Sequence, residues 1–464
     1  MSGARAEGRG ESLAAAVARR IRDSIEAGAL PSGARLPSIR SAAVEFGVSK
    51  NTIVDAYDRL VLSGHAVSRA GSGFVVTGED HAEPRRPKHV AEAIDIASLL
   101  GAQLHQSFAI RVGDGRPPSS WMEGSELRRH LGSYGRVMPA DLEAYGSAAG
   151  FLPLRRQIAQ RLTGRQIAAG EDNILLTFGA NHALDLVIRA MVSPGDTVFV
   201  DDPGYYPLFA KLRLARANVV GIRRTPDGPS VEDFIAKTES ERGRLFFTQS
   251  LGHNPTGGSV TLPVAHAILN AASRQRVLII EDDPFADLPI VDDNRLARLG
   301  QLDNVVHIGT FSKTLSASLR SGFIAAREDR IAELTELKML TTVNSSGHIE
   351  RLIDRLIGDG HYDRHLKRLA RRTEAAAERV RANLAKAGLE VVSGRTDGYY
   401  VYLRLPGGVD DIELAKAAAA EGIFIAPGSV FCIDKDGDLA RGMRINISRA
   451  DDMRFYEFLL RKLT

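Results

Sequence analysis

The stretch Gly309-Thr310-Phe311-Ser312-Lys313-Thr314-Leu315-Ser316-Ala317-Ser318-Leu319-Arg320-Ser321-Gly322 decides how this chain of 464 residues is interpreted. The apolar run Val305 to Ile308 precedes it and predicts a buried strand that ends where the hydroxyl residues begin. A lysine amine can hold an aldehyde as a Schiff base, and hydroxyls with a guanidinium suit a phosphate dianion. Lys313, followed seven positions later by Arg320, therefore predicts a site for a small molecule that carries both groups.

Pyridoxal phosphate carries an aldehyde and a phosphate, and three other stretches contain groups that this cofactor needs. Asp282 follows an apolar run, and a carboxylate at a strand end can keep the pyridine nitrogen protonated. Asn254, in His253-Asn254-Pro255-Thr256-Gly257, can donate to the phenolate oxygen, and Tyr205 can stack on the ring. Taken singly, such an aspartate is more often structural, such an asparagine belongs to a turn, and such a tyrosine belongs to a core.

The phosphate site is predicted from a helix N-terminus combined with hydroxyl groups and an arginine. A helix is predicted over 182–191, and the N-terminus of a helix attracts phosphate. The residues predicted to bind the phosphate are Gly179, Ala180, Asn181, Thr310, Ser312 and Arg320.

From about residue 98 the chain alternates short apolar runs with helical patterns. The runs predicted to be strands are 174–177, 197–200, 219–222, 245–248, 277–281, 305–308 and 322–325. Helical patterns between them predict an α/β domain whose mostly parallel sheet carries helices on both faces. A smaller α/β subdomain is predicted over about 350–464, beginning with a long helix.

The first 77 residues have a different organisation. Leu13, Val17, Ile21 and Ile25 share one face of a predicted helix over 12–27, and Ser38 and Ser49 are predicted N-caps of two further helices. The segments 66–69 and 73–77 flank a turn and predict a hairpin. Three helices followed by a two-stranded wing make a winged helix-turn-helix, which is a DNA-binding motif.

Charge and cysteine content narrow the class of protein. Residues 1–77 contain 10 Lys/Arg and 7 Asp/Glu, so the whole net charge of +3 lies there. A basic head on a neutral body favours nucleic-acid contact by the head. A single cysteine, Cys432, excludes an internal disulfide and favours the cytoplasm, and no apolar run approaches the roughly 20 residues of a membrane helix.

The head resembles the GntR family of winged helices over residues 12–77. The resemblance is carried by the stretches 30–40 and 46–53 and by the wing Arg69-Ala70-Gly71-Ser72-Gly73-Phe74. It implies that the start of the third helix enters the major groove and that the wing approaches the minor groove. The residues that it implies for DNA binding are Arg35, Arg40, Ser49, Lys50, Asn51, Thr52, Arg69 and Gly71. A three-helix subdomain that binds protein is the alternative.

The rest of the chain resembles fold-type I aminotransferases over about residues 98–464. This resemblance implies that Arg444 binds a substrate carboxylate and that Tyr145 reaches into the cofactor site of a partner subunit, so that each site needs a dimer. Two positions depart from the family pattern. Phe285 stands where the family has a tyrosine that bonds the ring oxygen, which should slow catalysis, and Ala317 stands where a proline is common.

Head and body together resemble the MocR subfamily of GntR-type regulators, with a head over 1–77, a polar linker over 78–97 and a body over 98–464. The resemblance implies a head-to-tail homodimer that binds operator DNA and senses an amino acid or amine through aldimine exchange at Lys313. One alternative is an active aminotransferase that carries a DNA-binding head, and another is that pyridoxal phosphate is itself the signal. His361 and His365 have the spacing of a helical metal pair, but no third ligand is evident and no metal site is expected.

Overall fold

The computed structural model describes residues 12–26, 28–69, 73–77, 89–90, 108–134, 144–290 and 292–463. The chain divides into two compact units, Met1–Pro87 and Lys88–Thr464, called the head and the body below. The predicted linker lies outside the described residues except for 89–90, and Gly71 of the wing lies outside them as well. Among the described helices, none combines the length and apolar composition needed to cross a membrane.

The head is a three-helix unit with a two-stranded wing. Its elements are α1 (Leu13–Glu26), α2 (Ile39–Phe46), α3 (Lys50–Leu62), β1 (Ala66–Arg69) and β2 (Gly73–Val76), the two strands being antiparallel. Ser38 accepts a hydrogen bond from the amide of Ser41, and Ser49 accepts one from the amide of Thr52, which confirms both predicted N-caps.

The core of the head is formed by one face of α1 packed against α3. Val17 and Ile21 of α1 are buried in the same cluster as Ile53 and Tyr57 of α3. Leu13 was predicted on this face, but its side chain is 68% exposed. The next residue, Ala14, is only 5% exposed, so the packed face of α1 runs through Ala14 and Leu13 lies beside that face.

The body is built around an eight-stranded sheet with the order β3-β10-β9-β8-β7-β4-β5-β6. Strands β4, β5, β7, β8 and β9 are parallel, whereas β10 and β6 are antiparallel to their neighbours. The bounds of the strands are β3 (Ile174–Thr177), β4 (Thr197–Asp202), β5 (Asn218–Thr225), β6 (Gly228–Pro229), β7 (Leu245–Thr248), β8 (Leu278–Asp283), β9 (Val305–Thr310) and β10 (Gly322–Ala325). The predicted α/β class with a mostly parallel sheet is confirmed.

Helices cover both faces of this sheet. Phe199 packs into one hydrophobic cluster, while its neighbours Val198 and Val200 pack into another, as expected for a strand buried on both faces. The α-helices that precede the small sheet are α4 (Ser119–Met122), α5 (Leu127–Tyr134), α6 (Leu152–Thr163), α7 (Ala180–Met191), α8 (Tyr206–Leu214), α9 (Val231–Ser240), α10 (Leu262–Gln275), α11 (Leu296–Asn304), α12 (Glu328–Thr342), α13 (Gly347–Gly358) and α14 (His361–Lys386).

The C-terminal part of the body forms a second, smaller sheet. Long helix α14 leads into the antiparallel strands β11 (Tyr400–Arg404), β12 (Ala426–Pro427) and β13 (Gly442–Asn446), ordered β11-β13-β12, with helices α15 (Asp411–Ala420) and α16 (Met453–Leu463) beside them. The segment before α4 joins this sheet, because the amide of Ile110 donates to Gly422 O and the amide of Gly113 donates to Phe424 O. Residues 113–116 are thereby placed beside β13.

Candidate functional site

A cavity of about 390 Å³ lies where the carboxyl ends of β8 and β9 meet the small sheet. It brings together most of the residues that were predicted for the cofactor and its ligand, which are Ala180, Asn181, Tyr205, Asn254, Asp282, Thr310, Ser312, Lys313, Arg320 and Arg444. Lining residues that the sequence did not indicate include Gly115, Arg116, Gln249 and Tyr400. A larger groove of about 840 Å³, lined by residues such as Arg223 and Asp434, contains none of the predicted site residues.

Asp282 is a buried carboxylate with one oxygen left for a ligand. Its Oδ2 accepts a hydrogen bond of 2.6 Å from Gln249 Nε2, whereas its Oδ1 has no partner among the described residues. Burial raises the pKa of Asp282 to about 6, and the bond from Gln249 opposes that shift. A buried, unpartnered carboxylate oxygen on the wall of a cavity fits the N–H of a protonated pyridine ring.

Gln249 joins two of the predicted site residues. Its Oε1 accepts a 2.8 Å bond from the amide of Asn254, while its Nε2 holds Asp282. Below it, the buried carboxylate of Asp201 accepts from the amide of Gln249 at 3.1 Å and from Arg224 Nη1 at 2.9 Å. The only sequence signal for Gln249 is its place directly after strand β7.

The start of helix α7 forms a cradle with Arg320. Gly179 has φ 81°, a backbone conformation that favours glycine, and it lies close to the guanidinium of Arg320. Arg320 donates to Phe178 O at 3.0 Å and to Ser312 Oγ at 3.4 Å. Amides at a helix N-terminus, two hydroxyls and a guanidinium are the donor set that suits a phosphate.

Lys313 and Arg444 both bond to one strip of backbone, residues 113–116. Lys313 Nζ and Tyr400 Oη donate to Gly115 O, the latter at 2.8 Å. Arg444 is buried and donates to Gly113 O at 2.7 Å and to Asn254 Oδ1 at 2.8 Å. Because Asn254 Oδ1 accepts this bond, its side-chain amide nitrogen is available to donate to a ring oxygen.

The two positions that depart from the aminotransferase pattern lie differently with respect to the cavity. Phe285 is fully buried, its ring centroid lies 5.1 Å from that of Tyr399, and it is not among the lining residues. Ala317 does line the cavity. The phenol that lines the cavity near Phe285 belongs to Tyr400, whose ring centroid lies 6.2 Å from that of Phe285.

The comparison of the sequence with protein families agrees with this geometry. The pattern of the family described as aminotransferase class I and II matches residues 120–458, which is most of the body. The chain belongs to the aminotransferase class I and II family. A second pattern, described as bacterial regulatory proteins of the gntR family, matches residues 13–76. The chain therefore fuses a GntR head to an aminotransferase-type body.

Curated relatives share both parts. The chain is 28% identical over 441 residues to the HTH-type transcriptional regulator TauR of Rhodobacter capsulatus, covering 89% of this chain and 88% of TauR. It is also 28% identical to the probable rhizopine catabolism regulatory protein MocR of Rhizobium meliloti, covering 88% and 85%. The crystal structure of LysN, an alpha-aminoadipate aminotransferase from Thermus thermophilus, shares the fold of the body with a TM-score of 0.73 at 22% identity, covering 81% of this chain and 97% of LysN.

Tyr145 does not line the cavity of its own aminotransferase-type body. Its side chain is 86% exposed, beside a recess lined by Phe151, Asn344 and Arg351. An exposed tyrosine next to a surface recess is consistent with insertion into a second subunit, and this role of Tyr145 stays a prediction.

In the GntR head, five of the eight residues predicted to contact DNA lie at the N-terminal ends of α2 and α3. Arg40 lies in the first turn of α2, and Lys50 and Asn51 begin α3, with all three side chains exposed. Arg35 and Ser49 are also exposed, and Thr52 is half-buried. Arg69 is the last residue of β1, and nothing further is described of its side chain. Gly71 lies outside the described residues.

His361 does not pair with His365. It lies instead with His130 and Asp359, and the candidate ligand atoms of these three residues are within 4.8 Å of one another. This grouping was missed because His130 is distant in sequence. Arg364 Nη2 donates to His361 Nδ1 at 2.8 Å, and Arg355 lies 3.6 Å from Asp359. Two guanidiniums beside the group disfavour a cation, so we assign no metal to it.

Proposed function

We propose that this protein is a transcriptional regulator that binds operator DNA through its head and senses an amino acid or amine in the body cavity. The observation that carries the proposal is that one chain combines a GntR head with a body cavity lined by Lys313, Asp282, Arg320 and Arg444. TauR and MocR, which are similar along most of the chain, are named as regulators, and this supports the same role here.

The cofactor proposed for the cavity is pyridoxal phosphate. Lys313 Nζ would hold its aldehyde, Asp282 Oδ1 its ring nitrogen and the Asn254 amide its phenolate oxygen, while Tyr205 would stack on the ring. The phosphate would lie in the Gly179 cradle, bound by Ala180, Asn181, Thr310, Ser312 and Arg320. When bound, the cofactor supplies a carbonyl carbon that can exchange one amine for another.

The effector would compete with Lys313 for that carbon and place its carboxylate at Arg444. A guanidinium can bind a carboxylate with two parallel hydrogen bonds, and Arg444 Nε has no partner in the part of the chain that the structure describes. The effector changes transcription only if it binds one arrangement of the protein better than another. A head-to-tail homodimer in the cytoplasm is part of the proposal, with the exposed Tyr145 completing the partner's site.

An active aminotransferase is the second candidate, because the groups that such chemistry needs line one cavity. Phe285 disfavours it, since its apolar side chain cannot bond the ring oxygen and packs in a hydrophobic cluster instead. The two candidates differ in what happens after the effector binds. A sensor holds the effector, whereas an aminotransferase converts it into a keto acid over many turnovers.

The test follows the absorbance of the full-length protein loaded with pyridoxal phosphate while amino acids and amines are added one at a time. We expect borohydride reduction before addition to fix the cofactor on Lys313, which peptide mass spectrometry detects. One compound should shift the spectrum, yield no keto acid and change the affinity for DNA from the protein's own promoter region.

Lys313→Ala should lose both the fixed cofactor and the ligand response while still binding DNA. Lys416→Ala, at an exposed lysine paired with Glu413, is the matched control and should behave as the wild type. A normal ligand response in Lys313→Ala would refute the proposal. Rapid accumulation of keto acid in the wild type would favour the aminotransferase instead.

A further inference from the structure

The cavity carries one more cationic side chain than the proposed function uses. Its charged lining residues are Arg116, Asp282, Lys313, Arg320 and Arg444. Lys313 and Arg320 are assigned to the cofactor aldehyde and phosphate, Asp282 to the ring nitrogen and Arg444 to the effector carboxylate. Arg116 has no role in that assignment, although it is part of the wall.

Arg116 belongs to a cluster in which three guanidiniums share one carboxylate. Asp114 is fully buried and lies 3.0 Å from Arg111 Nη2, 3.4 Å from Arg116 Nε and 3.5 Å from Arg449 Nη2. Arg116 has the most exposed side chain of the three arginines, at 32% against 10% for Arg111 and 20% for Arg449. Of these three arginines, Arg116 is the one that lines the cavity.

The backbone holds Arg116 at a fixed position relative to Arg444. Arg116 O accepts from Asn446 Nδ2 at 3.0 Å and from Arg449 Nε at 2.7 Å. Asn446 and Arg444 are two residues apart in β13, so their side chains leave the same face of the strand. Arg444 in turn donates to Gly113 O, so the strip 113–116 is attached to β13 at both ends.

We propose that Arg116 forms a second anion subsite and that the effector is an amino acid with an acidic side chain. The α-carboxylate would bind Arg444, and the side-chain carboxylate would bind Arg116. This inference rests on the proposed function and narrows its ligand class from amino compounds in general to dicarboxylic amino acids. A carboxylate forms charge-assisted bonds with a guanidinium that the corresponding amide cannot form.

The test compares acids with their amides in the loaded, full-length protein. Aspartate with asparagine and glutamate with glutamine are titrated while the absorbance is followed. In the wild type, one acid should reach half-saturation at a concentration about tenfold or more below that of its amide. Arg116→Gln should abolish this preference, because it weakens the binding of the acid and leaves the binding of the amide unchanged. Arg116→Lys, which keeps a positive charge, should retain part of the preference.

Arg156→Gln is the matched control, because it removes an exposed arginine that is paired with Glu171 and does not line the cavity. It should keep the wild-type preference. Equal half-saturation for acids and amides in the wild type, or an unchanged preference in Arg116→Gln, would overturn the inference and leave the proposed function standing.

If no amino compound changes the wild-type spectrum, the proposed function and the inference fail together. If Arg116→Gln does not fold, as judged by the fluorescence of the single tryptophan Trp121, the wild-type ratio and Arg116→Lys still decide the question.

Discussion

Gln249 is the residue on which two functional groups of the cavity depend. Its amide holds the carboxylate of Asp282 on one side and the backbone of Asn254 on the other. Gln249→Leu removes both bonds, including the one that stabilises the buried carboxylate of Asp282, so we expect the pKa of Asp282 to rise further and cofactor affinity to fall about tenfold or more.

Equilibrium dialysis of pyridoxal phosphate against the full-length variant measures this loss of affinity. Gln160→Leu, at an exposed position of α6, should leave the affinity unchanged. Unaltered cofactor binding in Gln249→Leu would mean that Gln249 packs beside Asp282 without controlling it.

Asp282 should make the stability of the cofactor-free protein depend on pH. Burial raises the pKa of Asp282 from its usual 3.8 to about 6 in the folded protein. Its contribution to stability is therefore fully present below the usual pKa of 3.8 and is lost as the pH rises through about 6. The ionised carboxylate then costs roughly 2–3 kcal/mol at neutral pH. Asp282→Asn should therefore unfold at higher denaturant concentration than the wild type at pH 7.5, and the difference should shrink towards pH 4.5.

The fluorescence of Trp121, which lies in the body and contacts Tyr399, reports this unfolding. A difference in stability that stays constant across the pH range would contradict the assignment of the shift to Asp282. Added pyridoxal phosphate should stabilise the wild type more than Asp282→Asn, because the ring nitrogen loses its charged partner in the variant.

Some residues of the cavity were predictable and others were not, for a physical reason. Lys313, Asp282 and Asn254 each stand in a local pattern whose residue types suit the chemistry of one cofactor. Arg116 stands in no such pattern. It is held in the wall of the cavity by the hydrogen bond that Asn446, 330 residues later in the chain, donates to its carbonyl oxygen. Tertiary hydrogen bonds of this kind leave no periodicity or spacing in the sequence.

At the scale of elements, the cap of α3 links the stability of the head to its predicted contact with DNA. Ser49 Oγ accepts from the amide of Thr52 at 3.1 Å and lies 2.8 Å from Thr52 Oγ1. Ser49→Ala should destabilise the helix by about 1 kcal/mol. Ser49→Asp should keep the cap while adding a negative charge that repels phosphate, so it should bind DNA more weakly than its stability suggests.

Hydrogen exchange over residues 49–62 reports the stability of α3, and a gel-shift titration reports DNA affinity. Ser230→Ala removes a comparable cap from α9 in the body, where Ser230 accepts from the amide of Asp233, and it should leave DNA affinity unchanged. Equal DNA affinity of Ser49→Asp and the wild type would place the contact with phosphate elsewhere in the head.

Elements were most predictable where local signals coincide. Strand β7 was predicted with its observed bounds, because a short run of buried apolar residues is flanked by polar ones. Strands β8 and β9 extend to Asp283 and Thr310, beyond the apolar runs that predicted them. These polar residues belong to the strands because they pair across the sheet, Asp282 with Ile308 and Asp283 with Gly309. The sequence contains no signal for that pairing.

At the scale of the whole molecule, the proposed regulator must couple two compact units that belong to different families. The coupling is a free energy shared by the two binding events, so it acts in both directions. If the effector changes DNA affinity by some factor, saturating operator DNA must change effector affinity by the same factor. This equality holds for equilibrium binding and fails when the ligand is consumed.

Reciprocity therefore separates a sensor from an enzyme without reference to any particular rate. The absorbance of the loaded protein gives the half-saturating effector concentration. We expect operator DNA to shift this concentration by the same factor by which the effector shifts DNA affinity, typically about 5- to 150-fold. Arg444→Gln should remove both shifts together, because the effector loses the guanidinium that its carboxylate binds. Lys50→Ala should weaken DNA binding and leave the factor intact, since it alters one contact and not the coupling. An effector that shifts DNA affinity while DNA leaves effector affinity unchanged would show that the body converts its ligand, and the regulator would then be driven by turnover.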